Sequence, residues 1–114
     1  MLESDIQDTI RLLSRGDLRL FRNNVGMAWT KRGIPVRYGL HVGSPDLVGW
    51  RRTVITPDMV GRTVAVAVGV EVKSRRGSAS EDQARFLTHM QDFGAIAGVA
   101  RSADDVLRLI EKLG

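Results

Sequence analysis

Apolar and polar positions along the chain fall into two rhythms. From Leu2 to Leu13 the apolar residues Leu2, Ile6, Ile10 and Leu13 recur at helical spacing, with Glu3, Asp5, Gln7, Asp8 and Arg11 on the other faces. This predicts an amphipathic helix that ends near Arg15-Gly16. Leu18 to Gly26, Met27-Ala28-Trp29 and Val36 to Leu40 read as short extended segments, with bends at Asn23-Asn24 and around Lys31-Arg32-Gly33. Gly43 to Trp50 reads as a turn entering a strand, and Arg51 to Gly61 as a hairpin-like excursion turning at Pro57-Asp58. The alternation in Val64 to Lys73 places Val64, Val66, Val68, Val70 and Val72 on one face and Ala65, Ala67, Gly69, Glu71 and Lys73 on the other. A strand apolar on both faces until its last residues is expected at the middle of a sheet, covered on both sides.

After a short basic loop, Ser74 to Ala79, the run Ser80-Glu81-Asp82-Gln83 has the form of a capping box opening a helix with Phe86, Leu87 and Met90 inward, stopped by Gly94. Ile96 to Ala100 is a short buried strand, joined to the valine-rich strand by a right-handed crossover. Ser102 caps a last helix with Asp104 and Asp105 in its first turn and Val106, Leu107, Leu109, Ile110 and Leu113 on its apolar side. The expected architecture is α/β, a single domain over residues 1–114 built around a mixed central sheet.

Composition narrows the chemistry. The 114 residues contain no cysteine, which excludes disulfides and a thiolate zinc site. No apolar run approaches the roughly 20 residues needed to span a bilayer, and Met1 to Asp5 does not read as a secretory leader, so a cytoplasmic protein without membrane partners is expected. Seventeen Lys and Arg against 13 acids give +4, a modest excess compatible with a polyanionic partner. Arg19, Arg22, Lys31, Arg32 and Arg37 make one part of the chain the most basic. Phe21, Trp29 and Tyr38, interleaved there, suit either a nucleic-acid surface or a core.

The candidate chemistry sits at strand ends. Glu71 and Lys73, two apart on one strand face, have Cα atoms roughly 6.5–7 Å apart, near enough for both side chains to converge on one ligand. Asp46 follows Pro45 at another strand entrance and is expected to meet them at one sheet edge, although aspartate after proline is also an ordinary turn residue. Two carboxylates with the Val72 backbone carbonyl are hard oxygen ligands suited to Mg²⁺ or Mn²⁺. A lysine beside them can orient or deprotonate an attacking water or stabilise charge on a phosphorane-like transition state, and these parts suit phosphodiester hydrolysis. Two neighbours have plainer readings: Glu3 as a helix N-terminal acid, and Gln83 as the cap alone.

Pro45-Asp46 followed by Glu71-Val72-Lys73 resembles the PD-(D/E)xK nuclease signature. The segments Phe21 to Gly26, Gly43 to Gly49, Ile55 to Gly61 and the Gln83 helix ending in Gly94, followed by Gly98 to Ser102, resemble the VRR-NUC domain, the virus-type replication-repair nuclease, over almost the whole chain. The resemblance implies a restriction-endonuclease-like αβββαβ core with an added C-terminal helix. It also implies a metal-dependent, structure-selective endonuclease acting on branched DNA such as Holliday junctions, in DNA repair, as a homodimer. Asp46 and Glu71 match the metal-binding acids, Lys73 the catalytic lysine and Gln83 the helix glutamine facing the same site. Glu3 best matches the first-helix acid, with Asp5 and Asp8 as alternatives. Phosphate contacts are expected from Arg19, Arg22, Asn23, Arg75 and Arg76. Likeness to compact phage-borne members suggests a viral or prophage source acting in a host cytoplasm. The alternative is a non-catalytic DNA-binding or assembly domain that keeps the fold.

Overall fold

A computed structural model describes residues 2–111, so Leu113 lies outside the described residues. The chain divides into two units, Met1–Arg51 and Arg52–Gly114.

The first unit opens with helix α1, Glu3–Arg11, followed by strands β1 (Leu18–Arg22), β2 (Gly26–Trp29), β3 (Pro35–Tyr38) and β4 (Leu47–Arg51). The helix is shorter than its apolar spacing predicts, because Leu12 and Leu13 lie in the turn that leads to Gly16, where φ is +60°. Ser14 ties that turn to the sheet by accepting a 2.9 Å hydrogen bond from the Leu20 N–H. β1 and β4 form an antiparallel ladder with Leu20 opposite Gly49. A side chain at Gly49 would run into the Arg19 backbone carbonyl. Phe21 and Trp50 lie diagonally across the same ladder with their rings 4.8 Å apart. β2 and β3 form a separate antiparallel hairpin with Ala28 opposite Val36.

The second unit contains a 3-10 turn, Pro57–Met59, then β5 (Val68–Val72), α2 (Glu81–Asp92), β6 (Ile96–Ala100) and α3 (Ala103–Glu111). The hairpin-like excursion is absent: residues 52–56 and 60–67 carry no strand, and Thr56 Oγ1 instead donates to Asp58 within the turn. The strand predicted from Val64 begins only at Val68. Its partner explains why, since β5 pairs in parallel with β6, a five-residue strand that follows Gly94 at φ +90°. There is no further partner length for residues 64–66, and Ala67 contributes only its carbonyl, which accepts from the Ile96 N–H at 3.0 Å.

The expected cover on both faces is also incomplete. On the Gly69 face α2 packs closely, and a Cβ on Gly69 would come within 2.5 Å of Met90 Sδ. On the opposite face α3 sits over β6, with Leu109 against Gly98, and leaves Val68 and Val72 exposed. The helices are too few and the sheet too narrow to enclose their whole apolar stripes. Phe86 is 45% and Leu107 57% exposed, so Leu87, Met90, Val106 and Leu109 form the inward sets.

The order of elements is that of a small α/β domain, with three two-stranded ladders among the described residues in place of one mixed sheet. No helix among them is long and apolar enough to cross a membrane.

Candidate active site

In the first unit the site is organised by a polar residue. Asn23 follows β1 directly, and its backbone N–H donates to the Asp46 carbonyl at 2.7 Å, extending the β1–β4 ladder by one bond. Its side-chain amide donates to Ser44 Oγ at 2.7 Å and to the Pro45 carbonyl at 2.8 Å, while its Oδ1 accepts from the Leu40 N–H at 2.9 Å. Only 9% of the residue is exposed. Asn23 is among the residues expected to contact phosphate, and its side chain fastens the loop that carries Asp46. Every polar end of the amide group is used, which is the condition for burying it.

Asp46 then enters an open cleft lined by Glu3, Ser4, Ile6, Gln7, Ile10 and Leu47. Of the three acids considered on α1, Glu3 is the one that lines this cleft. Asp8 faces Arg22 at 3.7 Å, and the Asp5 carbonyl accepts from Thr9 Oγ1. Arg19, also expected to meet phosphate, bends back so that its guanidinium donates to the Gly16 and Leu18 carbonyls, each at 2.8 Å.

In the second unit, Glu71 and Lys73 share the β5 face that α2 covers. Their side chains meet, with Lys73 Nζ 3.3 Å from Glu71 Oε1 and both less than a third exposed. The Lys73 N–H donates to the Ala100 carbonyl at 3.1 Å. Because a trans peptide sets its C=O opposite its N–H, the Val72 carbonyl is directed away from β6. A carboxylate oxygen, a carbonyl turned off the ladder and an ammonium thus end one strand.

Gln83 is the third residue of α2 and completes the capping box: its Oε1 accepts from the Ser80 N–H at 2.9 Å, and Ser80 Oγ accepts from the Gln83 N–H at 3.1 Å. The cap uses Oε1 and not Nε2. Since α2 runs back along the parallel ladder with Met90 over Gly69, its N-terminal turn lies toward the Lys73 end of β5. Arg75 and Arg76 lie exposed in the intervening loop. Sequence reasoning did not single out Arg101, whose guanidinium donates to the Gly77 carbonyl and tethers that loop to the end of β6.

Among the described residues no three His, Asp or Glu side chains are gathered into a ready metal cage. The oxygen donors of each unit are nevertheless of the hard kind that a divalent cation takes together with waters and phosphate oxygens. Glu71 and the Val72 carbonyl in the second unit, and Asp46 and Glu3 in the first, are oxygen donors of that kind.

A Glu-x-Lys pair thus ends the parallel strand of a small α/β domain. Residues 11–104 match the family model of the VRR-NUC domain, and the chain belongs to the VRR-NUC family. Its function is accordingly of the nuclease type, with DNA as substrate. No curated protein and no solved structure matches the chain.

Proposed function

We propose that this chain is a single-domain, metal-dependent and structure-selective DNA endonuclease that hydrolyses phosphodiester bonds in branched DNA such as four-way junctions. The observation that carries the reading is the meeting of Glu71 and Lys73 at 3.3 Å at the end of β5 in a chain of the VRR-NUC family. Asp46, Glu71 and the Val72 carbonyl are the proposed ligands of Mg²⁺ or Mn²⁺, with Glu3 as a further acid from the cleft it shares with Asp46. The bound ion supplies Lewis-acid polarisation of the phosphate and a more acidic water. Lys73 holds a fixed positive charge where the phosphate gains negative charge, and it orients the attacking water. Glu71 keeps that ammonium in place. Gln83 is positioned by its cap, with Nε2 available to a phosphate oxygen or a water. Arg75 and Arg76 contact the DNA backbone from the tethered loop. A homodimer, with one active site per subunit, accounts for symmetric cutting of a junction.

The test is cleavage of a four-way junction, a flap and a linear duplex in Mg²⁺, Mn²⁺ or chelator, with wild type beside Lys73→Ala and Glu71→Gln. Cutting of the branched substrates that requires metal and falls by about 10²–10³ or more in each variant is expected, with junction affinity in chelator within about twofold of wild type. Tight binding without cutting in either metal would replace this reading with that of a non-catalytic DNA-binding domain.

A further inference from the structure

The β2–β3 hairpin presents a large aromatic side chain to solvent among cations. The register Met27 opposite Arg37 and Trp29 opposite Pro35 puts these four residues on one face. On that face Trp29 is 67% and Met27 44% exposed, and Arg37 is exposed as well. Trp29 and Arg37 are diagonal neighbours, within reach of one ligand.

Beyond them the connecting turn is held by hydrogen bonds. The Thr30 N–H donates to the Ile34 carbonyl and the Gly33 N–H to the Thr30 carbonyl, each at 2.9 Å, while Thr30 Oγ1 accepts from the Ile34 N–H at 3.1 Å. Gly33 adopts φ +78°, which closes the turn and leaves Lys31 and Arg32 exposed at its tip. Between Asp17 and Asp46 the sequence has no carboxylate at all. The aromatics that looked alike in the sequence therefore separate: Phe21 packs on Trp50, whereas Trp29 stands exposed on a hairpin whose own charged residues, Lys31, Arg32 and Arg37, are all cations.

We propose that this hairpin is a stacking platform for an unpaired nucleotide of the DNA substrate. Trp29 takes the base on its face, and Arg37, Lys31 and Arg32 take the flanking phosphates. This rests on the reading of the chain as a DNA-acting enzyme and adds the part of the substrate the hairpin holds. An exposed indole beside guanidinium and ammonium groups is the arrangement that binds single-stranded segments, since every base offers a π-face and every linkage a negative charge. Fully paired DNA offers this platform only its phosphates. Self-association through the same face is disfavoured because a two-fold contact would bring like charges together.

The experiment measures binding of the full chain in chelator to a forked duplex with 2-aminopurine at the first unpaired position and to a blunt duplex of equal length. Trp29→Ala, Trp29→Phe and Arg37→Ala are compared with wild type. Trp29→Ala is expected to weaken fork binding about tenfold and blunt-duplex binding less than about twofold, with loss of the 2-aminopurine quench, whereas Trp29→Phe, which keeps a stacking face without the readily oxidised indole, retains fork affinity. Arg37→Ala weakens both substrates and lowers the salt dependence. Equal losses on both substrates in Trp29→Ala, no loss on either, or dissociation of an oligomer in sedimentation would each overturn the platform. Cleavage by wild type is scored separately on both substrates. Cutting with no Trp29 effect sinks the platform alone, and fork-selective quenching without cutting in any metal sinks the nuclease reading alone.

Discussion

The two units are held together by different physics. Among the described residues, the buried apolar side chains are Met90, Ala97 and Ala100, all in the second unit, whereas the buried residue of the first is Asn23. In the second unit a glycine at 69 lets a helix descend onto the strand, and dispersion and apolar burial do the rest. In the first, four hydrogen bonds from one asparagine gather residues 40, 44, 45 and 46, and the Asp46 loop depends on directional contacts. The difference teaches that the two proposed acids are secured unequally. Glu71 rides on a packed β-α-β unit, while Asp46 rides on a polar clasp that fails if any member is lost.

Substitutions test that contrast, beginning with the largest expected effect. Gly49→Ala forces a methyl group against the Arg19 carbonyl and is expected to lower stability by about 3 kcal/mol, with amide exchange rising first in the β1–β4 ladder. Met90→Ala, its counterpart in the second unit, opens a cavity over Gly69 and costs about 2–4 kcal/mol, read by denaturant midpoint, with exchange rising first in β5 and β6. Should both variants loosen all strands together, the two units would share one cooperative transition and the contrast would be one of composition only. Asn23→Ala strands the Leu40 N–H and releases the Pro45 carbonyl, for about 2 kcal/mol. It is also expected to reduce cleavage more than Met90→Ala does at a temperature where both are folded, since it frees the Asp46 loop. The smallest change is at Gln83. Gln83→Ala removes half of the capping box for about 1 kcal/mol, and Gln83→Glu restores that stability. Cleavage that returns with Glu would make Gln83 a cap; cleavage lost in both variants with stability restored would make its amide a participant in the chemistry.

What was legible in the sequence was local. The capping box at Ser80 and Gln83 joins residues three apart, and Glu71 and Lys73 share a face because a strand alternates, so both were readable from spacing. The position of Asp46 before β4 was legible from Pro45. What escaped depends on partners far along the chain. Asn23 reads as a bend residue until its contacts with Leu40, Ser44 and Pro45 are seen. Val64 reads as strand because its own pattern is strand-like, yet the length of β6 decides where pairing starts. Alternation can say that Trp29 shares a face with Met27, but not that the face lacks a cover. Nor does the spacing of Glu3, Asp5 and Asp8 reveal which acid reaches the Asp46 cleft.

The β5–β6 ladder has a kinetic side. Val68 finds Ile96 only after the whole intervening chain has closed into a loop, and parallel pairing gives nothing back until that closure is made. A helix that forms early shortens the search, because its twelve residues then span roughly 18 Å as one stiff rod. The hydrogen bonds between Ser80 and Gln83 sit where that rod begins, and helix initiation is the costly step. Loss of the cap should therefore appear mainly as slower refolding, with the unfolding limb of the chevron almost unmoved. The same two side chains that fix where α2 starts would then also set how quickly Glu71 and Lys73 come to rest on a finished strand.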